Sequence, residues 1–99
     1  MFSINKTVEN GKAVLAPEGR LDTMTAPEME RAVKEILPEI TLLTLDLEKL
    51  DYISSAGLRV LLFAHKAMKI RGEMKVRNVN ETISEIFEVT GFSDILDIE

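Results

Sequence analysis

The sequence predicts an α/β domain in which a mixed sheet of four to five strands packs against three to four helices. Three observations carry that expectation. The chain opens with two short apolar stretches separated by Asn10-Gly11, a pair that tolerates the positive φ angles of a tight hairpin turn. Leu42-Leu43-Thr44-Leu45-Asp46-Leu47 is nearly unbroken in apolar residues, which suits a central parallel strand covered on both faces. Between and after these lie stretches with helical spacing, in the order ββαβαβα(β).

Taken in order, Phe2, Ile4 and Val8 fall on one side of the first strand, and Ala13-Val14-Leu15-Ala16 forms its return partner. Gly19-Arg20-Leu21-Asp22 then leaves the strand. Thr25-Ala26-Pro27-Glu28 reads as a capping box, with the Thr25 hydroxyl accepting from the Glu28 amide. Pro27 fits there because the first helical turn has no use for its missing N–H. Met29, Ala32, Val33, Ile36 and Leu37 follow the rhythm of an amphipathic helix, and Pro38 stops it. Leu50-Asp51-Tyr52-Ile53 leads to Ser54-Ser55-Ala56-Gly57, where a second helix starts and runs to about Ile70 with Val60, Leu61, Ala64 and Met68 on one stripe. Gly72 is expected to end it in the left-handed position. Met74-Lys75-Val76 reads as a fourth strand. Asn80 can cap a third helix carrying Ile83, Ile86 and Phe87, closed by Gly91. The tail Ile95-Leu96-Asp97-Ile98 forms either a short edge strand or a final helical turn.

The 99 residues suit one domain, 1–99, with a single core. Apolar residues at 45% and charged residues at 29% place the chain among globular proteins. With aromatics at only 5%, Leu, Ile and Val must fill most of that core. Absence of cysteine excludes a disulfide scaffold, a thiolate nucleophile and Cys-ligated metal. A net charge of −5 disfavours nucleic acid and anionic membrane as partners. No apolar stretch approaches the roughly 20 residues that cross a bilayer, and the N-terminus does not read as a signal peptide. The expected location is cytoplasmic.

Catalytic chemistry finds little support. His65, the lone histidine, sits in mid-helix without metal-ligand spacing or a Ser and Asp to act with. Neither phosphate-loop pattern occurs, so no cofactor is implied. Asp46, Glu48 and Asp51 read as a solvated acidic loop in preference to a metal site. Lys66, Lys69, Arg71 and Lys75 read as a solvated helix end, where cations meet the helix dipole favourably. Gly57 is the oddity. A glycine in a helix costs about 0.5–1 kcal/mol relative to alanine, which points to another backbone or a partner surface approaching closely.

Three stretches resemble the STAS domain family, and within it the bacterial anti-sigma factor antagonists. Gly19-Arg20-Leu21-Asp22 is similar to the family's G-x-L-D element after the second strand. Asp51-Tyr52-Ile53-Ser54-Ser55-Ala56-Gly57-Leu58 is similar to its apolar pair followed by D-S-S/A-G-L. Ile86-Phe87-Glu88-Val89-Thr90-Gly91-Phe92 is similar to its third helix and closing F-x-x-[ST]-G-[LF]. Their order and spacing extend the resemblance over essentially the whole chain.

The resemblance implies a STAS-like fold and a non-enzymatic role. The unphosphorylated protein would bind an anti-sigma factor, itself a serine kinase, and release the sigma factor. Phosphorylation at the serine two places before the motif glycine, Ser55, would end that complex, and a serine phosphatase would restore it. Sporulation antagonists carry aspartate where this chain has Ser54, which makes Ser54 the second candidate acceptor. The implied contact surface comprises Asp22, Thr23, Thr25, Ser54, Ser55, Ala56, Gly57, Leu58, Arg59 and Leu62. Two alternatives stay open: an interaction module of another regulatory or transport complex, and a small enzyme using Ser55 as nucleophile, for which His65 is too distant a base.

Overall fold

The structure of the protein, a computed structural model, describes residues 1–99. Strands β1 (Ser3–Glu9) and β2 (Lys12–Leu21) form the antiparallel hairpin that the opening stretches predict. Asn10 and Gly11 have φ of 51° and 78°, both positive, as the tight turn requires. Only Phe2 and Ile4 of the expected apolar side pack against the core, and Val8 is exposed.

β2 runs further than its sequence suggests. Gly19-Arg20-Leu21 does not leave the strand but extends it, because a second parallel partner waits there. Lys12 to Leu15 pair with β3 (Leu42–Asp46), whereas Gly19 to Leu21 pair with β4 (Leu50–Ile53). The register shifts between Gly19 and Arg20, and Gly19 takes φ +99° where its backbone meets the Met1 carbonyl. β5 (Glu73–Arg77) lies parallel on the far side of β3, giving the order β1-β2-β3-β5 with β4 on the second half of β2.

The fifth strand is therefore Leu50–Ile53 and not the C-terminal tail. A four-residue strand gives too few alternations to announce itself, and its partner is set only because β2 runs on beyond its pairing with β3. The tail instead makes a 3₁₀ turn at Phe92–Asp94 and one parallel bridge from Ile98 to Val76. It is fastened there by the Glu99 amide donating to the Val76 carbonyl at 2.8 Å. Lys75 adds an ion pair to Glu99 at 3.4 Å, and that carboxylate, with Glu73 and Asp97 nearby, raises the lysine pKa above its ordinary value.

Helices α1 (Ala26–Ile36) and α2 (Ser55–Arg71) cover one face of the sheet, and α3 (Glu81–Thr90) closes the core along β4. Ala13, Leu15, Leu43, Leu45, Met74 and Val76 share the covered face by register and join one core of 23 buried residues. The opposite face of β3, with Leu42, Thr44 and Asp46, stays half-buried. Its apolar run therefore serves a strand covered fully on one side only. On that open side Asp46 accepts from the Glu48 amide at 3.1 Å and from Asn78 at 3.1 Å, and pairs with Arg77 at 3.3 Å. Burial opposes ionisation of Asp46, but these bonds outweigh it and hold the carboxyl below its ordinary 3.8.

Asn80 caps α3 as its sequence predicts, accepting from the Ile83 amide at 2.9 Å, and Gly91 closes the helix in the left-handed region at φ 83°. Gly72 does not take that conformation at the end of α2. Its φ of 169° is extended backbone, and glycine is needed there because the Thr41 carbonyl occupies the space of a side chain.

Candidate functional site

Two exits from the sheet meet at one end of the molecule. β2 and β4 run parallel and finish side by side at Leu21 and Ile53, so the turn into α1 and the start of α2 become neighbours. A hydrogen bond from the Ser54 amide to the Leu21 carbonyl at 2.9 Å ties the two exits together.

Ser54 is the cap of α2. Its φ and ψ of −96° and 178° are extended, its Oγ accepts from the Gly57 amide at 3.4 Å, and its carbonyl accepts from the Leu58 amide at 2.9 Å. Ser55 is the first helical residue and is exposed, while Ser54 is half-buried. The two adjacent hydroxyls are thus unlike: one is engaged with the backbone and the other opens to solvent. Gly57 faces inward against β2. A Cβ there would lie 2.7 Å from Ile53 Cγ1 and 2.9 Å from the Leu21 carbonyl oxygen. The close neighbour that this glycine implied is the chain's own second strand.

On the other exit the expected capping box at Thr25 does not form. The Thr25 hydroxyl accepts from the Asp22 amide at 2.9 Å and donates to the Arg20 carbonyl at 2.8 Å, which leaves it turned away from Glu28. The Asp22 carboxylate does the local work instead, accepting from the Met24 amide at 3.0 Å and the Thr25 amide at 3.3 Å. Arg20 stands 3.9 Å from that carboxylate and lies over the Tyr52 ring at 4.4 Å. Asp22 is therefore a turn-forming residue held beside the start of α2.

Of the residues implied as contacts, Thr23, Ser55 and Arg59 are exposed, and Asp22, Thr25, Ser54, Ala56 and Leu62 are half-buried. Gly57 and Leu58 are buried and face the core, so they support the surface from beneath. Sequence reasoning did not single out Met24, which is 86% exposed at the tip of the Asp22 turn. An apolar side chain outside any strand or helix rhythm was the available signal. It also did not foresee an open groove of about 760 Å³ between α1 and α2, which reaches from Thr23 past Ala56 and Arg59 to Phe63. Arg31 and Lys34 line its other wall. That groove exists only once two helices distant in sequence lie side by side.

His65 is half-buried in α2, and no three His, Asp or Glu side chains converge as a metal site would require. No helix is long and apolar enough to cross a membrane. What the fold and site define is a small α/β domain in which the ends of two parallel strands bring together an exposed serine, an aspartate-formed turn and the mouth of an open groove.

The STAS domain family model matches residues 3–99, and the chain belongs to that family. The anti-sigma-B factor antagonist of Listeria monocytogenes is 32% identical over 83 residues, covering 82% of this chain and 73% of that protein. Among solved structures, an anti-sigma factor antagonist from Mycobacterium paratuberculosis superposes with a TM-score of 0.89 at 19% identity, over 99% of this chain and 85% of that one. The Bacillus cell fate determinant SpoIIAA in its phosphorylated form superposes with a TM-score of 0.75 at 17% identity, over 100% of this chain and 91% of that one. The fold expected from the sequence, a mixed sheet with helices packed on it, is the fold observed.

Proposed function

We propose that this protein is a cytoplasmic anti-sigma factor antagonist, one domain over 1–99, that works by binding and is switched off by phosphorylation of Ser55. The unmodified chain binds an anti-sigma factor that is also a serine kinase, and so frees the sigma factor. The kinase transfers the γ-phosphoryl group of ATP to the Ser55 oxygen, ADP leaves, and the complex ends. A serine phosphatase returns the hydroxyl. The chain is a substrate in this cycle and needs no cofactor of its own.

The observation that carries the choice of residue is the division of labour at the helix start. Ser54 spends its oxygen on the Gly57 amide, while Ser55 stands exposed at the first helical position. The N-terminal turn of a helix has unpaired N–H groups and the positive end of its dipole, so a phosphate there gains favourable partners without unfolding the domain. The added charge of about −1.5 to −2 must be desolvated or repelled when a partner covers this end. A coupling of about 1–3 kcal/mol, or 5–150-fold in affinity, suffices to part the complex.

Incubating the chain with candidate anti-sigma kinases and ATP, then locating phosphate by mass spectrometry, tests the reading. Modification of Ser55, absent in Ser55→Ala, and a drop in anti-sigma factor binding on modification are the expected results. Phosphate found on Ser54 alone, or equal binding by modified and unmodified chains, overturns it.

A further inference from the structure

We propose that Arg59 is the residue that holds the phosphoryl group of a modified Ser55, closing over it within the same helix. This rests on reading Ser55 as the modified residue. Arg59 lies four positions, about one turn, after Ser55 in α2, which puts their Cβ atoms on one face about 5–6 Å apart. Helical side chains tilt toward the N-terminus, so the Arg59 stem leans over the turn that contains Ser55. Arg59 is exposed and takes part in none of the ion pairs of the structure.

The other charged groups around this end are committed or elsewhere. Arg20 sits beside Asp22 and on the Tyr52 ring, and the Asp22 carboxylate is occupied by its own turn. Lys34 is paired to Glu30 at 3.0 Å. Arg31 is also without an ion pair, but it belongs to α1 on the opposite wall of the groove. A guanidinium presents a planar fork that matches two phosphate oxygens at once, which an ammonium cannot do. Arg59 also lines the α1–α2 groove beside Ala56. Drawing it up over a phosphate therefore alters the groove wall as well as the helix start.

The test uses the full chain with phosphoserine incorporated at position 55 during translation, so that no kinase is needed. The second ionisation of the phosphate is followed by ³¹P NMR in the wild type, Arg59→Gln, Arg59→Lys and Arg31→Gln. Loss of the Arg59 charge raises that ionisation by about 0.2–0.7 pH unit, the range of an exposed ion pair. Arg59→Lys recovers part of the shift, and Arg31→Gln titrates as the wild type does. Superimposable curves for Arg59→Gln and wild type overturn the assignment, as does an equal shift in Arg31→Gln. Failure of every kinase to modify Ser55 strikes the functional reading alone and leaves this titration standing.

Discussion

Replacing Gly57 by alanine sets two physical effects of opposite sign against each other. Helix propensity favours alanine by about 1 kcal/mol, so a surface helix would gain stability from the change. Here the new methyl meets Ile53 Cγ1 at 2.7 Å, Leu21 Cγ at 2.8 Å and the Leu21 carbonyl oxygen at 2.9 Å. Two of those atoms lie within buried side chains, and the third belongs to β2 backbone and cannot rotate away. Overfilling a packed interior costs about 1–3 kcal/mol. With a backbone atom among the three close contacts the upper part of that range, about 2–3 kcal/mol, applies, so the sum is a net destabilisation of about 1–2 kcal/mol. The Leu21 carbonyl also accepts from the Ser54 amide, so pushing it aside disturbs the cap of α2 and with it the position of Ser55. Thermal denaturation is the assay, and for a domain of this size each kcal/mol corresponds to about 4–8 °C in Tm. Gly57→Ala as stable as the wild type, or more so, would refute the claim that contact with β2 selects glycine there.

Three further outcomes follow from the geometry. Ser54→Ala should lower stability by about 0.5–1 kcal/mol through loss of the cap, while Ser55→Ala leaves it nearly unchanged; equal losses in chemical denaturation would contradict their separate roles. Asn80→Ala should cost about 2 kcal/mol, because its oxygen caps α3 while its amide donates to the Leu50 carbonyl at 2.7 Å, fastening α3 to β4; a loss below about 0.5 kcal/mol would contradict that double role. Asp46→Asn tests the sign of a pH effect. A carboxyl whose folded pKa lies below its ordinary 3.8 adds stability above that value and loses it as pH falls through the folded pKa. The wild type should therefore exceed the variant by about 1 kcal/mol near neutrality, with the gap closing in acid; a gap independent of pH would count against it.

The sequence by itself determined the elements whose signals are local. Asn10-Gly11 specified its turn, since few residues accept two successive positive φ angles. Asn80 and Gly91 bounded α3, and the spacing of Met29, Val33 and Ile36 gave the buried stripe of α1. The motif residues likewise pointed to the family. Only the tertiary structure decided what depends on residues far apart in the chain. Leu50–Ile53 became a strand because β2 runs on beyond its pairing with β3 and offers it an edge from Gly19 to Leu21. Thr25 abandoned its capping box because the Asp22 and Arg20 backbone competes for the same hydroxyl. Gly72 was needed for the Thr41 carbonyl beside it and not for a left-handed turn. Local periodicity encodes which face of an element is apolar, but strand partners, hydroxyl partners and the groove between α1 and α2 are set by long-range packing, to which a one-dimensional pattern carries no direct reference.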